Sequence, residues 1–351
     1  MIRRVWGVMS AAVVVCAVTA VQPAAASAGA VERISVAVDG MQGDGHSTGA
    51  SITPDGRSVV FQSAATNLTA EGTTGGDRVY VRDLPAGPTR QMGGLVPVQP
   101  PVISGNGEYL AYPVQWFNDV RIRQYQVSTG RTASADCSAY SCNQPSLSAD
   151  GRTLAHVIRF KAPLTGQRVE VQNWSTGAKE TIADLAHTAP SRPSLSGDGR
   201  YVAYQDGQTQ DVFVRDRTTG TTTGPVEGPG VAATLVQLSD GGGKVVYLAG
   251  PDTYVYDVLA GTTQLVPGVR GVAVDPTGRY LLHTPNDPNT PTLTLLDLST
   301  GTEETVSDRP ATAGPDAVSA DGRDVVFQST ADDLVPGDTN GKTDVFVRHF
   351  S

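Results

Sequence analysis

The chain has 351 residues, with 35 Asp and Glu against 26 Lys and Arg, and a formal net charge of −9. That acidic balance excludes a nucleic acid or other polyanion recognised through charge alone. No helical period of useful length and no low-complexity linker interrupts it, which leaves a single all-β unit as the expected organisation.

In chain order, residues 1–30 read as an export signal: Arg3 and Arg4 form a basic end, an alanine- and valine-rich run follows, and Ala24, Ala26, Ala28 and Ala30 offer small-residue cleavage points. The run is too short and alanine-rich for a membrane span, and Val15 before Cys16 does not suit a lipoprotein cleavage site. The expectation is secretion with release, to the extracellular space or the cell envelope. Losing Arg3 and Arg4 takes the formal charge from −9 to −11.

Residues 33–38 (RISVAV) alternate as a strand, and a repeat then begins. Its clearest copy is Pro193 to Tyr204, in which Leu195 ends one apolar run, Asp198-Gly199 supplies a tight turn, and Tyr201-Val202-Ala203-Tyr204 starts another. The turn glycine recurs as Gly56, Gly107, Gly151, Gly199, Gly242, Gly278 and Gly322. The mean period of about 44 residues is that of one four-stranded propeller blade. A third strand follows each turn, from Val79-Tyr80-Val81 to Val345-Phe346-Val347. Six copies continue through a second turn, such as Thr219-Gly220, into a short fourth strand. The seventh copy lacks its fourth strand, so the strand over 33–38 is expected to complete it. This predicts a seven-bladed β-propeller of four-stranded antiparallel blades over 31–351, with no bare edge between its ends.

The repeat resembles the secreted WD40-like propeller repeats of the TolB type, carried by Ser196 to Tyr204 with Asp211 to Asp216, and again by Ser319 to Phe327 with Asp344 to Arg348. The resemblance implies the propeller fold across the mature chain. It implies no single activity, since such propellers serve as docking platforms, as enzyme lids and as enzymes. Departures are clear: TolB has an N-terminal α/β domain and six blades.

On a propeller, the loops between second and third strands and those between blades share one face, and the tight turns share the other. The loop-bearing face is the expected binding face. Trp116, Phe117 and Tyr140 are its candidate aromatics, read either as contacts for a partner or sugar ring or as packing under their own loops. His46 and His187 fall in its loops, and His187 joins the aromatics as a candidate ligand contact. Asp338, Asn340 and Asp344 could begin a calcium loop, although the same residues also suit a plain Asn-Gly turn; no other cofactor is expected. Cys137 and Cys142, five residues apart, suit a local disulfide in an exported protein, a two-thiolate metal site being the weaker reading.

His156 and His283 align with Phe61, Tyr112, Tyr204, Tyr247 and Phe327 and are expected to replace an aromatic in blade packing. Arg200 is expected to pair with Asp216 across neighbouring strands. The function expected is a secreted, non-enzymatic, monomeric scaffold that binds a protein, peptide or glycan. The rival is an extracellular polysaccharide lyase or glycosidase with its site at the channel mouth, although no motif specifies the paired carboxylates a glycosidase needs.

Overall fold

The computed structural model describes residues 29–350, apart from 74–75, 86, 138–139, 162–164, 185–188, 288 and 290. Residues 1–28, and with them nearly all of the expected export signal, lie outside the described residues.

The repeat is built from its turn outward. In the fourth copy the Ser196 hydroxyl donates to Asp198 (2.6 Å) and accepts the backbone N–H of Tyr201 (2.8 Å). Asp198 in turn accepts the Arg200 N–H (2.9 Å), which leaves Gly199 at φ +72° to reverse the chain. The same bonds recur from Thr53 with Asp55, Ser104 with Asn106, and Ser148 with Asp150. A hydroxyl two residues before an aspartate or asparagine is thus the local code for these four hairpins.

Seven four-stranded antiparallel sheets result, spanning 47–91, 102–134, 141–183, 190–223, 234–266, 269–307 and 311–349, here blades 1 to 7. Blade 4 shows the pattern: Pro190–Leu195 lies innermost, followed by Tyr201–Asp206, Val212–Asp216 and the outer Thr221–Thr223. Every residue of Tyr201–Asp206 is buried, as a strand covered on both faces must be. Ring pairs bridge second and third strands in five blades, at Phe61–Tyr80, Tyr112–Tyr125, Tyr204–Phe213, Tyr247–Tyr254 and Phe327–Phe346. In blades 3 and 6 the equivalent residues are the buried His156 and His283, as expected. Burial lowers the basicity of both and pushes His156 down to about 4.

Blade packs on blade through the turn. A methyl added to Gly151 would lie 2.5 Å from the Tyr109 ring of blade 2; one on Gly242 would lie 2.6 Å from the Tyr201 ring of blade 4. Arg200 reaches Asp216 through two bonds of 3.1 and 2.7 Å, and Arg279 does the same with Asp297. Blade 1 departs from this pairing, since Arg90 takes Asp83 (2.9 Å) and Arg57 faces Asp55.

The N-terminal strand closes blade 7, as expected, but with different bounds. Val31–Arg33 pairs with the last strand in the register Val31↔Arg348, Glu32↔Val347 and Arg33↔Phe346, and the Ile34 N–H adds a bond to the Val345 carbonyl. The strand does not run on to residue 38. Ser35 is buried, donates its hydroxyl to Asp344 (2.6 Å) and accepts the Val345 N–H, which ends the ladder. The chain then turns through residues 36–42 and leaves Val38 exposed.

Candidate functional site

The seven innermost strands surround a central channel. At the tight-turn face a belt of backbone bonds draws it together: Asn106 N–H to the Ala149 carbonyl, Ala149 to Gly197, Gly197 to Asp240, Gly241 to Pro276, and Ala320 to Pro54. Only about 30 Å³ is open there, between side chains that include Ile52, Leu195, Val274 and Val318. At the loop-bearing face the channel widens to about 530 Å³, a volume suited to a small ligand.

Side chains rather than backbone hold the wide end. In five blades the residue seven positions before the turn glycine gives its N–H to a side chain of the preceding blade. Gln328 takes Gly49 (2.6 Å), Gln99 takes Gln144 (3.0 Å), Gln144 takes Arg192 (2.8 Å), Gln205 takes Leu235 (3.2 Å) and Thr253 takes Gly271 (2.7 Å). Pro101, Pro145 and Pro193, one position further on, lack an N–H, so the channel-facing edge is blunted against strand addition.

Two charged side chains, Arg192 and Asp316, lie on the wall of the wide end among the described residues. Asp316 accepts the Gln237 amide (2.8 Å), and burial pushes its carboxyl up to about 6. Asp240, towards the narrow end, is raised to about 7 by burial, with Asp316 and Asp275 adding repulsion. A carboxyl whose pKa is higher folded than unfolded holds a proton that the unfolded chain has already released. For Asp316 this stabilises the fold at low pH and is lost as pH rises from about 4 to about 6. Asp316→Asn keeps the acceptor for Gln237, and Asn tolerates the φ of +59° found there. The expected result is a gain of about 1–2 kcal/mol at pH 7.5 that disappears at pH 4, read from urea midpoints of the two proteins across that range.

Trp116 and Phe117 form the exposed tip of the hairpin between Tyr109–Trp116 and Asp119–Gln126, with rings edge to face at 5.6 Å. Phe117, at φ +52°, is 86% exposed. Of nine exposed large hydrophobics among the described residues, seven sit on the loop-bearing side: Val38, Met41, Val96, Val98, Trp116, Phe117 and Val231. Tyr140 instead packs inward, against Phe160 of a neighbouring loop at 4.9 Å and beside the Cys137–Cys142 disulfide. His187 lies outside the described residues.

The expected calcium ligands are drawn into ring closure. Asp338 and Asp344 both face the Arg33 guanidinium, at 3.1 and 3.6 Å, while the Asn340 amide donates to the Gly43 carbonyl (2.6 Å). His46 accepts the Thr343 N–H (3.0 Å) in the same seam, away from the channel. Among the described residues no three His, Cys, Asp or Glu side chains converge as a metal site would require. The residues that line the channel were missed by sequence reading. One signal could have revealed them: aligned on the turn glycine, the seventh position back reads Gly49, Pro100, Gln144, Arg192, Leu235, Gly271 and Pro315, five residue types at one position of an otherwise regular repeat.

No known protein family matches the chain, and no curated protein matches it. Solved structures do. An oligogalacturonate lyase in complex with manganese superposes with a TM-score of 0.68 at 15% identity, over 93% of this chain and 95% of that one. The oligogalacturonate lyase of Vibrio parahaemolyticus gives 0.66 at 13%, over 92% and 98%. A puromycin-hydrolysing peptidase of Mycobacterium tuberculosis gives 0.58 at 16%, over 94% of this chain and 57% of that one. At these identities the likeness is one of fold: the chain is a seven-bladed β-propeller, and its activity has to be argued from its own residues.

Proposed function

We propose that the protein is an exported, non-enzymatic propeller scaffold that binds a protein, peptide or glycan partner across its loop-bearing face. The observation that carries this reading is the concentration of exposed apolar side chains on that face, headed by the Trp116–Phe117 tip. Solvent-facing rings that support no core are a cost unless a partner covers them. The basic and apolar residues of 1–30 and the Cys137–Cys142 disulfide support export.

The rival enzyme reading draws on Asp316 and Asp240. Against it, Asp240 lies towards the constricted end and His46 is engaged in the closing seam, so a base, an acid and a substrate-sized space do not coincide.

A photo-crosslinking residue placed at position 117 tests the binding reading, with position 259 as control. Leu259 is 83% exposed but lies in a tight turn on the opposite face. Cross-linking to a cell-wall or culture component from 117 and not from 259 is the expected outcome; equal labelling from both positions overturns the reading. Replacing Trp116 and Phe117 together by Ala is expected to change stability by less than about 0.5 kcal/mol while abolishing capture.

A further inference from the structure

Arg192 is the cation of the channel mouth among the described residues, and its side chain holds none of them in place. It occupies the repeat position at which Gln144 reaches on to hold the next blade. In the following step that task passes to Gln205, which takes the Leu235 N–H, so the Arg192 guanidinium is released from the belt. It is exposed on the cavity wall and makes no ion pair among the described residues, in a chain whose acids outnumber its bases 35 to 26. Its backbone is held at φ +52°, a conformation uncommon outside glycine and sustained here by the Gln144 bond to its N–H.

Beside it lie further donors. The Gln99 and Gln144 side chains are fixed by the N–H groups their carbonyl oxygens accept, which settles which end of each amide is which. Their amide nitrogens are left without a protein acceptor among the described residues, and both residues line the mouth. A guanidinium fork with two amide donors at the rim of a ligand-sized cavity is a set that accepts a planar anion in two-point contact. Asp316, the other charge on the wall, is occupied by Gln237, a residue of blade 5.

We infer that the channel mouth binds the carboxylate of a small acidic ligand, with Arg192 as its principal contact and Gln99 and Gln144 as supporting donors. This rests on the proposed binding role and names the chemistry recognised within it. An acidic sugar and a peptide C-terminus both present such a carboxylate.

The test uses the whole mature chain and two matched probe pairs in titration calorimetry: glucuronate with methyl glucoside, and N-acetyl-alanyl-alanine with its amide. At least one acid is expected to bind 10-fold or more tightly than its neutral partner, and the pair that responds identifies the source. Arg192→Gln is expected to remove that preference without moving the melting temperature, and Arg192→Lys to retain part of it. Acid and neutral probes binding alike, neither acid binding at 20 mM, or an acid preference surviving in Arg192→Gln each overturns the assignment. Cross-linking at position 117 is read separately, so the carboxylate site can fail while the wider binding role stands.

Discussion

Gly151→Ala is expected to destabilise the protein by about 2–4 kcal/mol, far more than glycine replacements in the outer turns. Two costs combine at this residue. Its φ of +67° is unfavourable for alanine by about 1–2 kcal/mol. The new methyl would also stand 2.5 Å from the Tyr109 ring, and overpacking of that kind adds about 1–3 kcal/mol. Gly177 separates the two, because its φ is +71° and no atom lies within 4 Å of the methyl it would receive. Gly177→Ala should therefore show the backbone cost alone. Urea denaturation of both variants checks the comparison, and equal losses would mean that the turn does not wedge blade against blade. Shortening the ring in Gly151→Ala with Tyr109→Ser should recover part of the loss, because the two residues are in contact and their effects are coupled.

The same contact explains how much of the fold could be read in advance. Turn glycines serve every blade, and the hydroxyl–aspartate pair before them and the aromatic of the second strand serve most, so repetition exposes them. His156 and His283 were legible for that reason, as deviations inside a fixed position. The channel is different. Gln99, Gln144, Arg192 and Asp316 act between blades, and each is set by its neighbour around the ring rather than by its own repeat. Repeat-level reading places candidate contacts in the loops, where Trp116 and Phe117 are exposed while Tyr140 packs inward. The closing strand shows the limit at residue level. Alternation in RISVAV predicted a strand to residue 38, and nothing in that pattern announces that Ser35 will turn its hydroxyl on a buried carboxylate 309 residues away.

That seam is also where a single substitution should do the most damage. Arg33→Ala is expected to cost about 3–5 kcal/mol, the range found when one partner of a buried ion pair is removed. The Arg33 side chain is 8% exposed and lies between Asp338 and Asp344, whose side chains are 4% and 0% exposed. Burial already pushes the Asp344 carboxyl up to about 6, against the pull of Ser35 and Arg33. Without the guanidinium, two carboxylates would share a dry site and one would have to take up a proton. Loss of stability in Arg33→Ala should therefore be greatest at neutral pH and shrink as pH falls below about 6, since protonated carboxyls no longer need the cation. Arg33→Lys, which keeps the charge, should recover much of the difference. Because Arg33 belongs to the strand that pairs the start of the described chain with its last strand, opening here frees the Phe346–Arg348 edge, and aggregation on heating should accompany the fall in melting temperature. A loss in Arg33→Ala that is the same at pH 5 and pH 8 would show that side-chain packing, and not charge, holds the ring shut.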